Sequence, residues 1–210
     1  MKLYEYFRSS ATYRVRIALN LKKIAVEMVP IHLLRNGGEQ DAPSYRAINP
    51  QGRVPALVLD DGTTLIQSPA ILEWLEETYP DPPLLPRDPI ARAHVRGIAA
   101  LIACDIHPLN NLSVLTYLRN NFNVAQDKVD VWYRHWITTG FTALEQMLSA
   151  PYCCGDGVTL ADVMLVPQVA NARRFGTDLT PFPRITAIEQ TCLALPAFDA
   201  ARPEVQPGAA

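Results

Sequence analysis

The sequence has no excess of basic residues and no apolar segment at its N-terminus. Its 19 Lys and Arg residues face 21 Asp and Glu residues, which gives a formal net charge of −2. Nucleic-acid binding needs a surplus of cations that neutralise phosphates, so we expect no such partner. A membrane-spanning helix needs roughly 18 apolar residues and a signal peptide needs an apolar core, and we expect neither. The prediction is therefore a cytoplasmic protein.

Cysteine is scarce, and none of it is arranged in a metal-binding pattern. The four cysteines are Cys104, Cys153, Cys154 and Cys192, and the four histidines are His32, His94, His107 and His135. They form no C-x-x-C pair and no zinc-ligand spacing. We expect no metal site, and thiols that are buried or incidental in a reducing compartment.

A proline-rich stretch divides the chain near residue 80. Five of the 18 prolines lie between residues 80 and 89, a density that excludes a regular helix or a central strand and indicates a stiff linker. The 210 residues are 49% hydrophobic and 19% charged, which is typical of packed globular domains. We predict one domain over residues 1–80 and another over 90–210, joined by a linker at 81–89.

Strand and helix patterns alternate in the first domain. Apolar and β-branched runs predict strands at residues 3–6, 25–31, 54–59 and 64–66. Helices are predicted over 11–21, with Arg14 and Arg16 outside the apolar face, and from an N-cap at Ser68 with Pro69 to about residue 79. A weakly periodic helix between residues 35 and 50 completes the order β-α-β-α-β-β-α. This order indicates a thioredoxin-like α/β domain.

Only helices are predicted after the linker. Apolar periodicity places them at residues 90–118, 125–150, 160–175 and 185–194. The third begins with a capping box, in which Thr159 is the N-cap and Asp162 is the acidic third residue. Residues 203–210 are expected to fray. The second domain is therefore predicted to be all-α, and fold alone does not give function.

Three short segments of the first domain have functional potential. Ser9 and Ser10 lie where strand one gives way to a helix, whose positive end favours an anion or a thiolate. Val54 precedes a proline before strand three, and a cis bond there would present its backbone to a peptide-like ligand. Gln67 and Ser68 open the next helix, where N–H groups suit a carboxylate. Simpler interpretations exist for each, namely an N-cap or an ordinary trans proline.

The three segments lie in the order and spacing of a glutathione site, and the chain resembles the zeta class of glutathione transferases over nearly its whole length. Motifs shared widely in that superfamily are Val54-Pro55-Ala56-Leu57 and Gln67-Ser68-Pro69-Ala70-Ile71. Motifs more specific to its isomerase branch are Ile106-His107-Pro108-Leu109-Asn110-Asn111 and Asn171-Ala172-Arg173-Arg174-Phe175. The resemblance implies the glutathione transferase fold, glutathione as cofactor and a homodimer.

The resemblance also implies the roles of individual residues. Ser10 and Ser9 would be catalytic, through hydrogen bonds to the glutathione sulfur. The glutathione-binding positions would be Gln40, Val54 through its backbone, Gln67, Ser68, Asp105 and His107. The substrate-binding positions would be Arg8 and Arg174, which hold carboxylates, and Asn110, which lies on the same helix as Asp105.

The implied activity is glutathione-dependent cis–trans isomerisation of maleylacetoacetate or maleylpyruvate, in the degradation of aromatic compounds. Such an enzyme must lower the pKa of a thiol, bind two anionic ends and stabilise an enolate. The family has a cysteine where this chain has Ala11. Because glutathione brings its own thiol, this departure bears on selectivity and rate more than on activity. Two alternatives stay open: conjugation or dehalogenation of small α-halo acids, and a non-catalytic binding module.

Overall fold

The computed structural model describes residues 1–209, and the chain divides into two units. The first consists of residues 1–83 together with the C-terminal segment that begins at Ala194, and the second consists of residues 84–193. We call residues 194–209 the C-terminal strap. The predicted division assigned all of residues 90–210 to the helical domain, so the strap is a correction to it.

A four-stranded mixed sheet forms the base of the first unit. Its strands are β1 (Lys2–Glu5), β2 (Glu27–Pro30), β3 (Ala56–Val58) and β4 (Thr64–Ile66), in the spatial order β2-β1-β3-β4. The helices of this unit are α1 (Ser10–Leu21), α2 (Pro43–Arg46), α3 (Ser68–Thr78) and α9 (Pro196–Asp199). The β1–β2 pair is parallel, and the β1–β3 and β3–β4 pairs are antiparallel. The predicted α/β fold is confirmed; β4 has its predicted range, β1 is shifted by one residue, and β2 and β3 are shorter than the sequence pattern indicates.

Helix α1 is buried on nearly all sides, so the prediction that Arg14 and Arg16 lie outside its apolar face is wrong. Arg14 is 1% exposed and Arg16 is 3% exposed. Arg16 forms an ion pair with the fully buried Glu5 of β1. Arg14 donates a hydrogen bond to Ser68 Oγ on α3. The partners lie on other elements, and periodicity within α1 carries no information about them.

Hydrogen bonds to α1 explain why the strap belongs to the first unit. Arg16 Nε donates to the Ala201 carbonyl at 3.0 Å, and Asn20 Nδ2 donates to the Ala197 carbonyl at 3.0 Å. Ala209, which lies in the segment expected to fray, packs against an apolar cluster of this unit. The strap is therefore held at several points along its length.

Helices build the second unit, as predicted. They are α4 (Pro89–Ala100), α5 (Leu112–Phe122), α6 (Gln126–Met147), α7 (Leu160–Arg174) and α8 (Pro183–Leu193). The single helix predicted over residues 90–118 is interrupted by a π-helical turn, Leu101–Ile106, and a 3₁₀ turn, His107–Asn110. Helix α7 is the centre of the unit, because twelve of its fifteen residues are buried.

The stretch Pro89–Phe122 also differs from expectation in its hydropathy. An 18-residue window in it has a mean hydropathy of 1.4, with 28% of the window buried. By length and composition alone this stretch is sufficient to cross a membrane, which the sequence prediction excluded. Helices of soluble proteins meet the same criterion, so this observation is weak evidence for a membrane span.

The predicted capping box at the start of α7 is confirmed. Asp162 accepts hydrogen bonds from the N–H of Thr159 at 2.8 Å, from the Thr159 hydroxyl at 2.9 Å and from the N–H of Cys153 at 2.8 Å. Asp162 is fully buried. One carboxylate thus satisfies donors on both the helix and the preceding loop.

Asp162→Ala should therefore lower stability and leave chemistry intact. The N–H groups of Thr159 and Cys153 would lose their acceptor, and we expect the free energy of unfolding to fall by about 1 to 2 kcal/mol. Denaturant unfolding measures this. Asp178→Ala is the matched control, because exposed Asp178 accepts a single backbone bond, from Thr180. A variant that folds normally but cannot turn over would contradict the structural role.

Candidate active site

One edge of the sheet in the first unit collects several strand ends. Tyr4 pairs with Ala56 and Ala56 pairs with Ile66, so the end of β1, the start of β3 and the end of β4 are neighbours. The parallel strand β2 ends at this edge too, because Pro30 pairs with Glu5. The residues predicted from sequence that lie on the segments meeting there are Ser9, Ser10, Val54, Gln67 and Ser68.

The start of α1 offers hydroxyls at a positive helix end. Ser9 is the N-cap, and its Oγ accepts a hydrogen bond from the N–H of Thr12 at 3.2 Å. Ser10 is the first helical residue and is 7% exposed. The first turn contains no acidic residue. The capping interpretation of Ser9 is therefore correct, and it leaves the hydroxyl hydrogen able to donate to an anion.

Val54 and Gln40 provide peptide and amide groups. The Val54–Pro55 bond is cis, and Val54 precedes the ladder pairing, which begins at Ala56. Gln40 lies in a 3₁₀ turn, Glu39–Asp41, and donates through Nε2 to Asp41. The Oε1 atom of Gln40 is buried without a hydrogen-bond partner among the described residues. Buried acceptors normally have partners, so this oxygen is suited to a ligand N–H.

The start of α3 differs from the prediction in its cap. Gln67 occupies the N-cap position with φ +71°, and Ser68 is the first helical residue. Ser68 is therefore not the N-cap, and its Oγ instead accepts from Arg14 Nη1 at 3.3 Å. A positive φ outside glycine is costly, and a 2.7 Å hydrogen bond from Gln67 Nε2 to Gln51 Oε1 holds this turn. A helix N-terminus beside a guanidinium favours a carboxylate.

In the second unit, the irregular turns between α4 and α5 contain three predicted residues. Asp105 is exposed at the end of the π-helical turn, His107 is half-buried, and Asn110 is buried. Both amide atoms of Asn110 lack hydrogen-bond partners among the described residues. π-helical turns occur frequently at functional sites, and a buried amide that makes no hydrogen bond within the protein points to a ligand.

Arg8 and Arg174 share an environment that distinguishes them from most other arginines. Each guanidinium lies over an adjacent ring, at 4.9 Å from the Phe7 centroid for Arg8 and at 4.8 Å from the Phe175 centroid for Arg174. Neither has a carboxylate partner within residues 1–209. Arg173, by contrast, donates through Nε to both carboxylate oxygens of Glu189 at 3.1 Å. Arg8 and Arg174 thus each combine a stacked guanidinium with the lack of a carboxylate partner among residues 1–209.

Sequence reasoning did not find Tyr133, which lies beside Arg174. Burial raises the pKa of Tyr133 to about 12, although the nearby Arg174 guanidinium lowers it. Its ring stacks on Phe175 with centroids 3.6 Å apart. In the sequence Tyr133 follows the apolar period of α6, so no signal separates it from a core residue.

The cysteines of the described residues are all free, and those that are fully buried are unsuited to nucleophilic chemistry. Burial, with Asp162 adjacent, raises the pKa of the Cys153 and Cys192 thiols. A thiol with a raised pKa is inert near neutral pH. Within residues 1–209 no group of three or more His, Cys, Asp or Glu side chains is placed to hold a metal ion.

A thioredoxin-like mixed sheet followed by a helical unit is the architecture of the glutathione transferases, and residues 3–83 match the model of the glutathione S-transferase N-terminal domain. The chain is 52% identical over 208 residues to maleylacetoacetate isomerase of Pseudomonas aeruginosa, covering 99% of this chain and 98% of the relative. It superimposes with a TM-score of 0.96 and 47% identity on a zeta-class bacterial maleylpyruvate isomerase, with both chains fully covered. It also superimposes on a Methylobacterium maleylacetoacetate isomerase with bound malonate and glutathione, with a TM-score of 0.95, 43% identity and full coverage of both chains. The chain belongs to the glutathione transferase family, in the zeta class of maleylacetoacetate and maleylpyruvate isomerases.

Proposed function

We propose that this protein is a glutathione-dependent cis–trans isomerase of a small maleyl dicarboxylate, maleylacetoacetate or maleylpyruvate. The observation that carries the proposal is the convergence at one sheet edge of the start of α1, the backbone before β3 and the start of α3. These groups suit a thiolate, a peptide and a carboxylate respectively. A short peptide that contains all three groups is the ligand they match.

The donor set of the first unit fits glutathione. The N–H groups at the start of α3, with Ser68 and Arg14, suit its carboxylate, and the Val54 backbone suits its peptide bond. The buried Oε1 of Gln40 suits an N–H group. When bound, glutathione supplies a thiolate that adds reversibly to the cis double bond, so that rotation about the resulting single bond is allowed.

The residues at the start of α1 keep the sulfur ionised. The Ser9 and Ser10 hydroxyls donate to it, and the positive end of α1 stabilises negative charge at that position. Ser9 Oγ itself accepts the Thr12 N–H, which polarises its hydroxyl and strengthens it as a donor. These groups are fixed before the reaction begins, which is the condition for electrostatic stabilisation.

The remaining assigned residues bind and orient the substrate and the rest of glutathione. Arg8 and Arg174 take the two carboxylates, because a planar guanidinium matches a carboxylate with two parallel hydrogen bonds. Asn110 offers a donor and an acceptor to the carbonyl and enol oxygens between the carboxylates. Asp105 and His107 belong to glutathione binding in this proposal.

The proposal also covers the setting of the enzyme. The first unit binds glutathione, the second contributes substrate-binding residues, and two copies form a homodimer in the cytoplasm. Free thiols are typical of a reducing compartment, and Cys104 is exposed as a free thiol. Sedimentation of the purified chain at micromolar concentration tests the dimer, and a monomer would contradict that part.

A spectrophotometric assay on maleylacetoacetate and on maleylpyruvate, with and without glutathione, tests the function. We expect isomerisation of at least one substrate and its loss when glutathione is withheld. Turnover of α-halo acids without isomerisation would favour the transferase alternative. Failure to bind immobilised glutathione, together with no turnover of any substrate, would favour a non-catalytic module.

Ser68→Ala should raise the KM for glutathione by roughly threefold to tenfold and change kcat less. The substitution removes one hydrogen bond to a group of glutathione that does not react. A purely structural Ser68 would instead lower stability and leave KM unchanged. Measuring KM and the free energy of unfolding on the same variant separates these outcomes.

A further inference from the structure

Arg16 is a buried cation that connects α1 to two other segments of the first unit, residues 5–7 and the C-terminal strap. Its guanidinium pairs with Glu5 at the end of β1, donates through Nη2 to the Phe7 carbonyl at 3.0 Å, and donates through Nε to the Ala201 carbonyl at 3.0 Å. Long side chains on a helix lean towards its N-terminus, so Arg16 reaches back to the chain that enters α1. We call residues 6–10 the sulfur loop, because they end in Ser9 and Ser10.

Stability alone does not account for this arrangement. Arg16 is 3% exposed and Glu5 is 0% exposed, and burial raises the pKa of Glu5 and lowers that of Arg16 against their mutual attraction. One carboxylate oxygen of Glu5 has no hydrogen-bond partner among the described residues. Buried ion pairs of this kind are often no more stable than an apolar pair of similar volume. What an apolar pair lacks is the ability to hold the Phe7 and Ala201 carbonyls.

The C-terminal strap is itself tied to the same region beyond Ala201. Gln206 Nε2 donates to the carbonyls of Ala200 and Arg202, at 2.8 and 2.9 Å, which closes the turn around Ala201. Ala209 then packs against the cluster that contains Phe7 and Val54. Arg16 therefore links a carbonyl of the strap to a carbonyl of the sulfur loop. In addition, Ala209 of the strap packs against the cluster that contains the side chain of Phe7.

We propose that Arg16 and the C-terminal strap position the sulfur loop, so that the Ser9 and Ser10 hydroxyls are aimed at the glutathione sulfur. This inference rests on the proposed function and adds to it a role for a segment nearly 200 positions away in the chain. Arg16 is a positioning residue here, since its hydrogen bonds go to the protein itself.

The test replaces the ion pair with apolar residues in the double variant Glu5→Leu/Arg16→Met, a type of exchange that buried pairs often tolerate. The matched control is Arg173→Met/Glu189→Leu in the second unit, which removes another pair with a buried carboxylate. For each protein, the ultraviolet absorbance of the thiolate is titrated with saturating glutathione, and calorimetry gives the glutathione Kd. Hydrogen exchange reports on the sulfur loop and the strap.

We expect the double variant to bind glutathione with a thiol pKa about one unit higher than the wild type shows. Amides of residues 6–10 and 200–209 should exchange faster, and the control should keep the wild-type thiol pKa. Arg16→Lys keeps the positive charge but loses the several donors of the guanidinium, so it should also raise the pKa of the glutathione thiol. This variant replaces the double variant in the test if the double variant does not fold.

A folded variant with the wild-type thiol pKa would overturn the positioning role, even if it were less stable. An equal pKa rise in the control would overturn it as well, because the effect would then be one of general destabilisation. If the wild-type chain itself fails to lower the thiol pKa, the proposed function fails first, and the positioning role falls with it.

Discussion

Ser10→Ala is expected to lower turnover by about one to three orders of magnitude, the usual consequence of removing a hydrogen-bond donor from developing charge. Ser10 is the first residue of α1, while the capping hydrogen bond belongs to Ser9. Alanine is also the best helix former. The change therefore removes a hydroxyl and keeps the helix start.

Ser9→Ala separates the two hydroxyls. It removes the acceptor of the Thr12 N–H, so it should lower stability by about 1 kcal/mol in addition to any loss of turnover. Steady-state kinetics and thermal unfolding on both single variants and on the double variant give the comparison. Wild-type turnover in all three would show that the sulfur is bound elsewhere.

Local rules were sufficient for the element order of the first unit and for the start of α7. Strands appear where apolar or β-branched runs lie. The box formed by Thr159 and Asp162 is local in sequence, so its hydrogen bonds follow from spacing alone. The break between α4 and α5 was missed. Apolar periodicity continues through Leu101–Ile106, and a π-helical turn changes the backbone hydrogen bonding without changing the composition.

Long-range contacts explain the other differences. Residue preference predicts Ser68 as the N-cap of α3. In the structure Gln67, with its positive φ, is the N-cap, and the Ser68 hydroxyl accepts a hydrogen bond from Arg14. The strap was assigned to the helical domain because its partners, Arg16 and Asn20, precede it by more than 170 positions. The periodicity of a helix or strand does not predict hydrogen bonds between residues this far apart in the chain. These hydrogen bonds join α1 to α3 and to the strap.

Arg174→Lys should reduce kcat/KM for the maleyl substrate by roughly tenfold to a hundredfold, because an ammonium cannot replace the two parallel hydrogen bonds of a guanidinium on a carboxylate. Arg174 lies over Phe175, beside the buried hydroxyl of Tyr133, and has no carboxylate partner within residues 1–209. Affinity for glutathione should stay close to that of the wild type, since Arg174 is assigned to the substrate alone.

Arg173→Lys is the matched control on the adjacent position. The sequence alone predicts that this substitution has almost no effect. In the structure Arg173 donates hydrogen bonds to both carboxylate oxygens of the buried Glu189, so the prediction now applies to catalysis and not to stability. We expect Arg173→Lys to lower thermal stability and to leave kcat/KM per folded molecule unchanged. Adjacent residues on a helix point about 100° apart, so the two arginines face different surroundings. A catalytic defect in Arg173→Lys with a silent Arg174→Lys would reverse the assignment, and silence in both would leave Arg8 as the carboxylate-binding residue.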